Sequence, residues 1–217
     1  MVDVIENAFQ IASLIFCTSF SIYRILKTKD KSWVLLFFFF GSYLMGDLYW
    51  QAVTYFYGDT PSIALISDLS WYASFMFIYL LLYMENEKHK GLGRPREDYE
   101  NSMLSLVPWL GPIFSTVMSL LYMQIGAIIS NTIYGILMAV ILYYLIDTVI
   151  RFHGTRCLRI RWLCHAIAFT CLSEFGSWTA SFFNGESSFS NPYYWFNILS
   201  SISFTFYLWP LSKEVRS

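Results

Sequence analysis

Residues 127–150 read AIISNTIYGILMAVILYYLIDTVI, a stretch in which Asp147 carries the only charge. A helix needs about 20 mostly apolar residues to cross the hydrocarbon core of a bilayer. The stretch therefore predicts a transmembrane helix. Because Asp147 stands four residues before Arg151, on the same helical face, we expect these two residues to form an ion pair near the membrane interface.

The composition extends this prediction to the whole chain. Of the 217 residues, 56% are hydrophobic and 13% are charged, whereas an ordinary soluble domain has roughly 25% charged residues. We predict an all-α integral membrane protein that forms a single domain over residues 1–217. Its seven transmembrane helices are expected at about 7–26, 33–57, 61–84, 102–121, 127–150, 160–183 and 193–211.

Two details of the connections can also be predicted. The segment Lys88–Glu100 mixes basic and acidic residues with glycine and proline, which is typical of a solvated loop between helices 3 and 4. Pro108 and Pro112 fall within helix 4 and are expected to kink it, because proline lacks the amide hydrogen that a helix interior requires.

The positive charges indicate the orientation of the helices. All 14 Lys and Arg residues fall in four groups, Arg24–Lys31, Lys88–Arg96, Arg151–Arg161 and Lys213–Arg216. Cytoplasmic loops are enriched in Lys and Arg, so the N-terminus is predicted outside and the C-terminus in the cytoplasm of a plasma or bacterial inner membrane. Acidic residues precede helix 1 and basic ones follow it, the reverse of a signal peptide, so we expect this helix to remain.

The two ends of the chain share an internal repeat. In one common register Arg24 aligns with Arg151, Asp47 with Glu174, and Ser74 with Ser201. These matches predict a 3+1+3 parallel repeat: repeat A at about 7–84, a connector helix at about 102–121 and repeat B at about 127–211. This plan is similar, at the level of the fold, to SWEET-type carriers and to opsins, and in the carriers the solute site lies between the repeats.

Carboxylates within the predicted membrane depth mark a candidate site. Asp47 and Glu174 occupy equivalent positions in helices 2 and 6, and Asp68 lies in the outer half of helix 3. An ionisable residue at the centre of a membrane helix costs about 2.5–3.5 kcal/mol on insertion scales, so such residues usually face the bundle interior and mark functional sites. The alternative is that protonated carboxyls hydrogen-bond across helices as structural links, and the sequence leaves their protonation state open.

Aromatic residues accompany these acids. Trp50, Trp71, Tyr72 and Trp178 lie within a few residues of the carboxylates, and aromatic faces beside a carboxylate are a common way to hold an organic cation. We expect these residues to contribute to a site for a small cationic or ring-bearing ligand. Because 20% of the chain is aromatic, ordinary packing also accounts for the pattern.

The sequence of residues 38–84 resembles the multi-helix membrane sensor regions found ahead of bacterial diguanylate cyclases and histidine kinases. The shared features are an acid before an aromatic pair, a Gly/Pro/Ser turn and a second acid before another aromatic pair; here they are Asp47, Tyr49, Trp50, Gly58, Pro61, Ser62, Asp68, Trp71 and Tyr72. Residues 170–210 look like a weaker second copy. The resemblance implies a sensor that binds a small ligand, and since no such catalytic domain follows helix 7 here, it implies a separate cytoplasmic signalling partner.

Other classes are less well supported. With a net charge of −1, no Gly-rich phosphate loop and no zinc-type Cys/His spacing, neither nucleic acid, a metal nor another cofactor is expected. An opsin would need a lysine in helix 7, and a ceramidase-type hydrolase several intramembrane histidines; only His165 is present. Ser42, Gly46 and Asp47 are similar to the lysoplasmalogenase family, but no catalytic residue is assigned.

The resulting expectation is a sensor or receptor module with an outward-facing ligand pocket between the repeats. The first alternative is a carrier for a small, possibly cationic solute, with proton coupling through the same acids. An intramembrane hydrolase that uses Asp47 and Glu174 as acid and base is the third.

Overall fold

The computed structural model describes residues 2–58, 66–93, 103–122, 128–153, 157–182 and 189–212, and the regular elements in these ranges are all helices. The α-helices are α1 (Val2–Thr28), α2 (Lys31–Tyr57), α3 (Ile66–His89), α4 (Leu110–Leu121), α5 (Ile128–Arg151), α6 (Leu158–Ser181), α7 (Pro192–Phe206) and the short α8 (Leu208–Ser212). Two 3-10 segments, Lys90–Leu92 and Met103–Trp109, complete the set.

Five helical segments are long and apolar enough to cross a membrane. They are Val2–Thr28, Lys31–Tyr57, Ile66–Leu92, Met103–Leu121 and Ile128–Arg151. The predicted all-α membrane class is thus confirmed at the level of an all-helical chain with several membrane-length apolar helices. The Gly, Pro and Ser turn predicted after Gly58 lies outside the described residues.

The predicted loop at Lys88–Glu100 is wrong at its start. Helix α3 continues to His89 and is followed by a 3-10 turn, because Lys88 pairs with Glu85 one turn earlier, at 3.0 Å, and this contact extends the helix. Residues 94–100 lie outside the described part of the chain.

The predicted kink in helix 4 is a change of helix type instead. Residues Met103–Trp109 form a 3-10 helix that contains Pro108, and α4 begins only at Leu110. Pro112 is then in the first turn of α4, where a missing amide hydrogen costs no intrahelical bond. The predicted ion pair near the end of α5 is confirmed, with Arg151 Nη1 3.8 Å from Asp147 Oδ2.

The packing order of the helices defines the bundle. Helices α1, α2 and α3 pack in sequence, α3 packs on α5, α5 on α6 and α6 on α7, and α7 returns to α1. Helix α4 packs on α5. The six helices other than α4 and α8 therefore surround a common interior, and this interior contains the polar residues described next.

Candidate functional site

A cavity of about 400 Å³ lies at one end of the bundle, between α1, α2, α3, α5, α6 and α7. Its lining residues belong to the middle and the C-terminal half of α2, to the C-terminal half of α6 and to the N-terminal halves of α1, α3, α5 and α7. These ends are the ones that the distribution of Lys and Arg predicts to be outside. Ligand sites commonly have volumes of about 300–1,000 Å³, so the cavity suits a small molecule.

All seven predicted site residues line this cavity. They come from three helices, α2, α3 and α6: Asp47, Trp50, Asp68, Trp71, Tyr72, Glu174 and Trp178. Sequence reasoning missed several polar residues beside them, including Tyr43, Asn131, Tyr134 and Asn197. Tyr43 was recognisable, because residues 43, 47 and 50 lie on one helical face.

Glu174 is held by hydroxyl groups from three other helices. Tyr43 donates to its Oε1 atom at 2.7 Å and Tyr134 to its Oε2 atom at 3.4 Å. Ser200 also donates to Oε1. Glu174 is 8% exposed, and these donors come from α2, α5 and α7, so its carboxyl group links four helices.

Asp47 is bonded on one side only. The indole nitrogen of Trp71 donates to its Oδ1 atom at 2.9 Å. Its Oδ2 atom is buried and has no hydrogen-bond partner among the described residues. The two acids that the repeat aligns therefore differ: the carboxyl group of Glu174 has donors on both oxygens, and that of Asp47 on one.

Gly46 allows the contact between Asp47 and Trp71. A Cβ atom at position 46 would lie 2.6 Å from Trp71 Nε1 and 3.2 Å from the carbonyl oxygen of Ser67. The lack of a side chain lets α2 approach α3 closely enough for the indole to reach the next residue.

We expect Gly46→Ala to displace the Trp71 ring and to lower the free energy of unfolding by about 1–3 kcal/mol, the usual cost of overpacking. Gly41→Ala is the matched control on the same helix, since nothing lies within 4 Å of its added Cβ, and alanine is the better helix former by roughly 0.5–1 kcal/mol. Denaturant unfolding in micelles measures both. Equal stability of the two variants would contradict the close approach.

The polar edges of the aromatic residues are fixed within the cavity wall. Trp178 Nε1 donates to Asn131 Oδ1 at 3.0 Å, and the Tyr72 hydroxyl donates to the carbonyl oxygen of Ser130 at 3.0 Å. The hydroxyl of Ser130 in turn donates to Asp68 Oδ2 at 3.1 Å. The N–H groups of Trp71 and Trp178 are therefore both used within the protein. Only the ring surfaces of these two residues are left to contact a ligand.

Acidic groups dominate the charge of this region. Asp47, Asp68 and Glu174 line the cavity, and among the described residues that line it none is Lys, Arg or His. Glu6 of α1 is 4% exposed and lies beside Asn197 at the same end. In the sequence Glu6 looks like an ordinary acid near the start of a helix, so its burial was not predictable.

An aromatic layer lies toward the inner side of the cavity, where Phe75 is one of the lining residues; we call it the aromatic floor, and it consists of Phe39, Phe40, Phe75, Phe204 and Tyr207. Its members are at most 1% exposed. Ring centroids of Phe39 and Phe204 are 5.8 Å apart, and those of Phe40 and Tyr207 are 6.1 Å apart. Such distances are typical of packed aromatic pairs, so the floor packs α2 against α7 and the residue that follows it.

Four charged residues and one serine lie together at the opposite end of the bundle. We call them the inner ion cluster: Asp30, Ser32, Glu85, Lys88 and Arg159. Arg159 binds Glu85 through two nitrogens, each at 2.9 Å, and Asp30 at 2.8 Å. Lys88 binds Asp30 at 3.1 Å and Glu85 at 3.0 Å. Two acids and two bases thus tie the α1–α2 connection to α3 and α6.

Asp30 gives this cluster a pH dependence. Although burial opposes its ionisation, hydrogen bonds from Arg159, the Ser32 amide and Lys88 hold the pKa of Asp30 below its ordinary range. A carboxyl group whose folded pKa is depressed stabilises the fold above its unfolded pKa, about 3.9, and loses that contribution as pH falls toward the folded value.

We therefore expect Asp30→Asn to lower the thermal midpoint in micelles by a constant amount above about pH 5. The difference from wild type should shrink below about pH 4, because wild-type Asp30 then takes up its proton on unfolding. Melting curves between pH 3 and pH 7 measure this, and a difference that does not change with pH would contradict it.

The described residues contain no group of three or more His, Cys, Asp or Glu side chains placed to hold a metal ion. The cavity therefore offers carboxylates, amides, hydroxyls and aromatic rings as its chemical groups. No protein-family model, no curated protein and no solved structure matches this chain, so its function is argued from the cavity itself.

Proposed function

We propose that the chain spans the plasma or inner membrane seven times, with the N-terminus outside and the C-terminus in the cytoplasm. Five helices have the required length and apolarity. Helices α6 and α7 pack within the same bundle as these five, which supports two further spans. The segregation of Lys and Arg supports the orientation.

Cysteine labelling tests this topology. In a background without the four native cysteines, Ser188→Cys is expected to react with an impermeant maleimide added to intact cells, because residue 188 falls in a predicted outer loop. Gly91→Cys, in the turn after α3, should react only after the membrane is permeabilised. Labelling of position 91 in intact cells would reverse the orientation.

The parallel 3+1+3 repeat is part of the same proposal. The order of packing supports it, since α1–α2–α3 and α5–α6–α7 follow one another around the interior and α4 lies outside on α5. Both repeat-related acids line one cavity rather than facing lipid.

The function that we propose is that of a membrane receptor or sensor that binds a small ligand in the outer cavity and acts through a cytoplasmic partner. One observation carries the proposal: buried carboxylates and aromatic residues from α2, α3 and α6 line one small cavity, away from the predicted cytoplasmic end. Membrane proteins seldom bury acids in this way without a ligand or ion to bind. The tight packing of the aromatic floor, whose members are at most 1% exposed, supports binding rather than passage.

A thermal-shift screen tests ligand binding. Purified protein in nanodiscs is melted with a panel of small amines, neutral polar compounds and carboxylates, since a ligand that binds only the folded state raises the melting temperature. Ser181→Trp places a bulky ring at the exposed cavity rim and should abolish the shift. Leu172→Trp, on the lipid-exposed side of the same helix, should preserve it. A panel without any shift would count against the proposal.

A carrier is the second candidate, and the inner ion cluster favours it. The cluster joins residues of repeat A (Asp30, Glu85, Lys88) to Arg159 of repeat B, and it lies opposite the cavity. Breaking such contacts while forming others at the outer end is how alternating access proceeds. Flux separates the candidates: a carrier exchanges labelled solute across proteoliposomes, whereas a receptor binds the same solute without transport.

A further inference from the structure

We infer that the ligand is a small organic cation with at least one N–H group, a primary, secondary or tertiary amine, which donates to Asp47 Oδ2. This inference rests on the proposed binding function and specifies the ligand class of the same cavity.

The unpaired oxygen of Asp47 is the first reason. Asp47 is 8% exposed, one of its oxygens accepts from Trp71 at 2.9 Å, and the other has no partner within the described part of the chain. A buried acceptor without a donor is costly. An N–H group on a ligand in the cavity would supply that donor, and hydrogen bonds between ionised groups are the strong ones.

The charge balance of the cavity is the second reason. The two buried acids Asp47 and Glu174 line it, and the described lining includes no Lys, Arg or His. A cleft lined by one sign of charge concentrates ligands of the opposite sign. Glu174 already accepts from Tyr43, Tyr134 and Ser200, which leaves Oδ2 of Asp47 as the buried carboxylate oxygen without a donor among the described residues.

The aromatic wall beside Asp47 is the third reason. The rings of Trp50 and Trp71 lie with their centroids 5.9 Å apart. Indole faces attract cations, and they also stack on a ring carried by the ligand. A small arylalkylamine would therefore satisfy the carboxylate and the rings together.

Three probes of matched shape test this ligand class: 2-phenylethylamine, its N,N,N-trimethyl derivative and 2-phenylethanol. The trimethyl derivative keeps the charge without the N–H donor, and the alcohol is uncharged. In calorimetric titrations we expect the amine to bind about tenfold or more tightly than either analogue, since it alone makes the charge-assisted bond. Equal affinity of the amine and either analogue would overturn the inference.

The Asp47→Asn variant tests the position of the amine. It preserves an oxygen for Trp71 but replaces the acceptor Oδ2 by an amide donor, so amine affinity should fall by about tenfold or more. Glu87→Gln is the control. It removes one negative charge from an exposed residue of α3, which pairs with Lys90 in the turn after this helix, and it should leave the affinity for the amine unchanged. Should Asp47→Asn not fold, Trp50→Leu at the partly exposed rim position serves as the second variant. Trp50→Leu should weaken the binding of the amine. Its melting temperature should stay close to that of Glu87→Gln.

The outcomes separate this inference from the proposed function. Binding of only neutral or anionic compounds, lost in Ser181→Trp, would overturn the amine and leave the receptor standing. The ammonium can come from a free amine or from a phosphatidylethanolamine headgroup. Binding of 2-phenylethylamine that is unchanged when phosphatidylethanolamine is added to phosphatidylglycerol nanodiscs assigns the site to a free amine, and binding that the added lipid displaces assigns it to the lipid; no binding of 2-phenylethylamine in either membrane would overturn the inference.

Discussion

Arg159→Ala is expected to lower the free energy of unfolding by about 3–5 kcal/mol, because it removes the main partner of a buried carboxylate and leaves two acids with the single base Lys88. The carboxylate of Glu85 is fully buried, and Arg159 is 11% exposed. Arg159 donates two hydrogen bonds to Glu85 and one to Asp30. Lys88 remains near Glu85, but a single ammonium group cannot replace a two-point guanidinium contact.

Arg161→Ala is the matched control, since Arg161 is exposed two residues further along the same helix. Its loss should change stability by no more than about 0.5 kcal/mol. The double variant Arg159→Ala/Glu85→Gln should be more stable than Arg159→Ala alone, because it has no buried carboxylate that lacks the guanidinium partner. Denaturant titrations in micelles give the three values. An Arg159→Ala protein as stable as Arg161→Ala would show that the cluster is not a structural link between α3 and α6.

This cluster was not predictable from the sequence, and the reason is physical. Charged residues beside a membrane helix are usually solvated, so the sequence predicts connections around Asp30, Lys88 and Arg159 and indicates no contact between them. Their pairing depends on the packing of the α1–α2 connection against α3 and α6, which no spacing in the sequence encodes. Glu85 had no sequence partner beyond Lys88, three residues away.

The outer cavity was more predictable. A carboxylate in the middle of an apolar helix has to face the interior, so Asp47 and Glu174 were expected to point inward, and neighbouring aromatic residues on the same helices followed them. The hydroxyl groups that bond Glu174 were not found, because Tyr134 and Ser200 belong to other helices and serine is frequent throughout membrane helices. The asymmetry between the two acids required the three-dimensional structure.

That asymmetry leads to the second prediction with a large effect. Glu174→Leu is expected to lower the free energy of unfolding by at least about 3 kcal/mol, because the hydroxyls of Tyr43, Tyr134 and Ser200 lose their acceptor and each unpaired buried group costs about 1–3 kcal/mol. Glu174→Gln retains an oxygen for Tyr43 and Ser200, which share Oε1. The free energy of unfolding of Glu174→Gln should therefore fall by no more than about 1 kcal/mol.

The same pair of variants separates the two roles that the sequence left open for these acids. If Glu174 is a structural link, Glu174→Gln should keep both the fold and the affinity for 2-phenylethylamine, while Asp47→Asn keeps the fold and loses the amine. If Glu174 binds the ligand directly, Glu174→Gln should lose affinity as strongly as Asp47→Asn does. Unfolding and calorimetry on the same preparations decide between these results. The hydrogen bonds favour the first, because both oxygens of Glu174 accept from the protein and one oxygen of Asp47 does not.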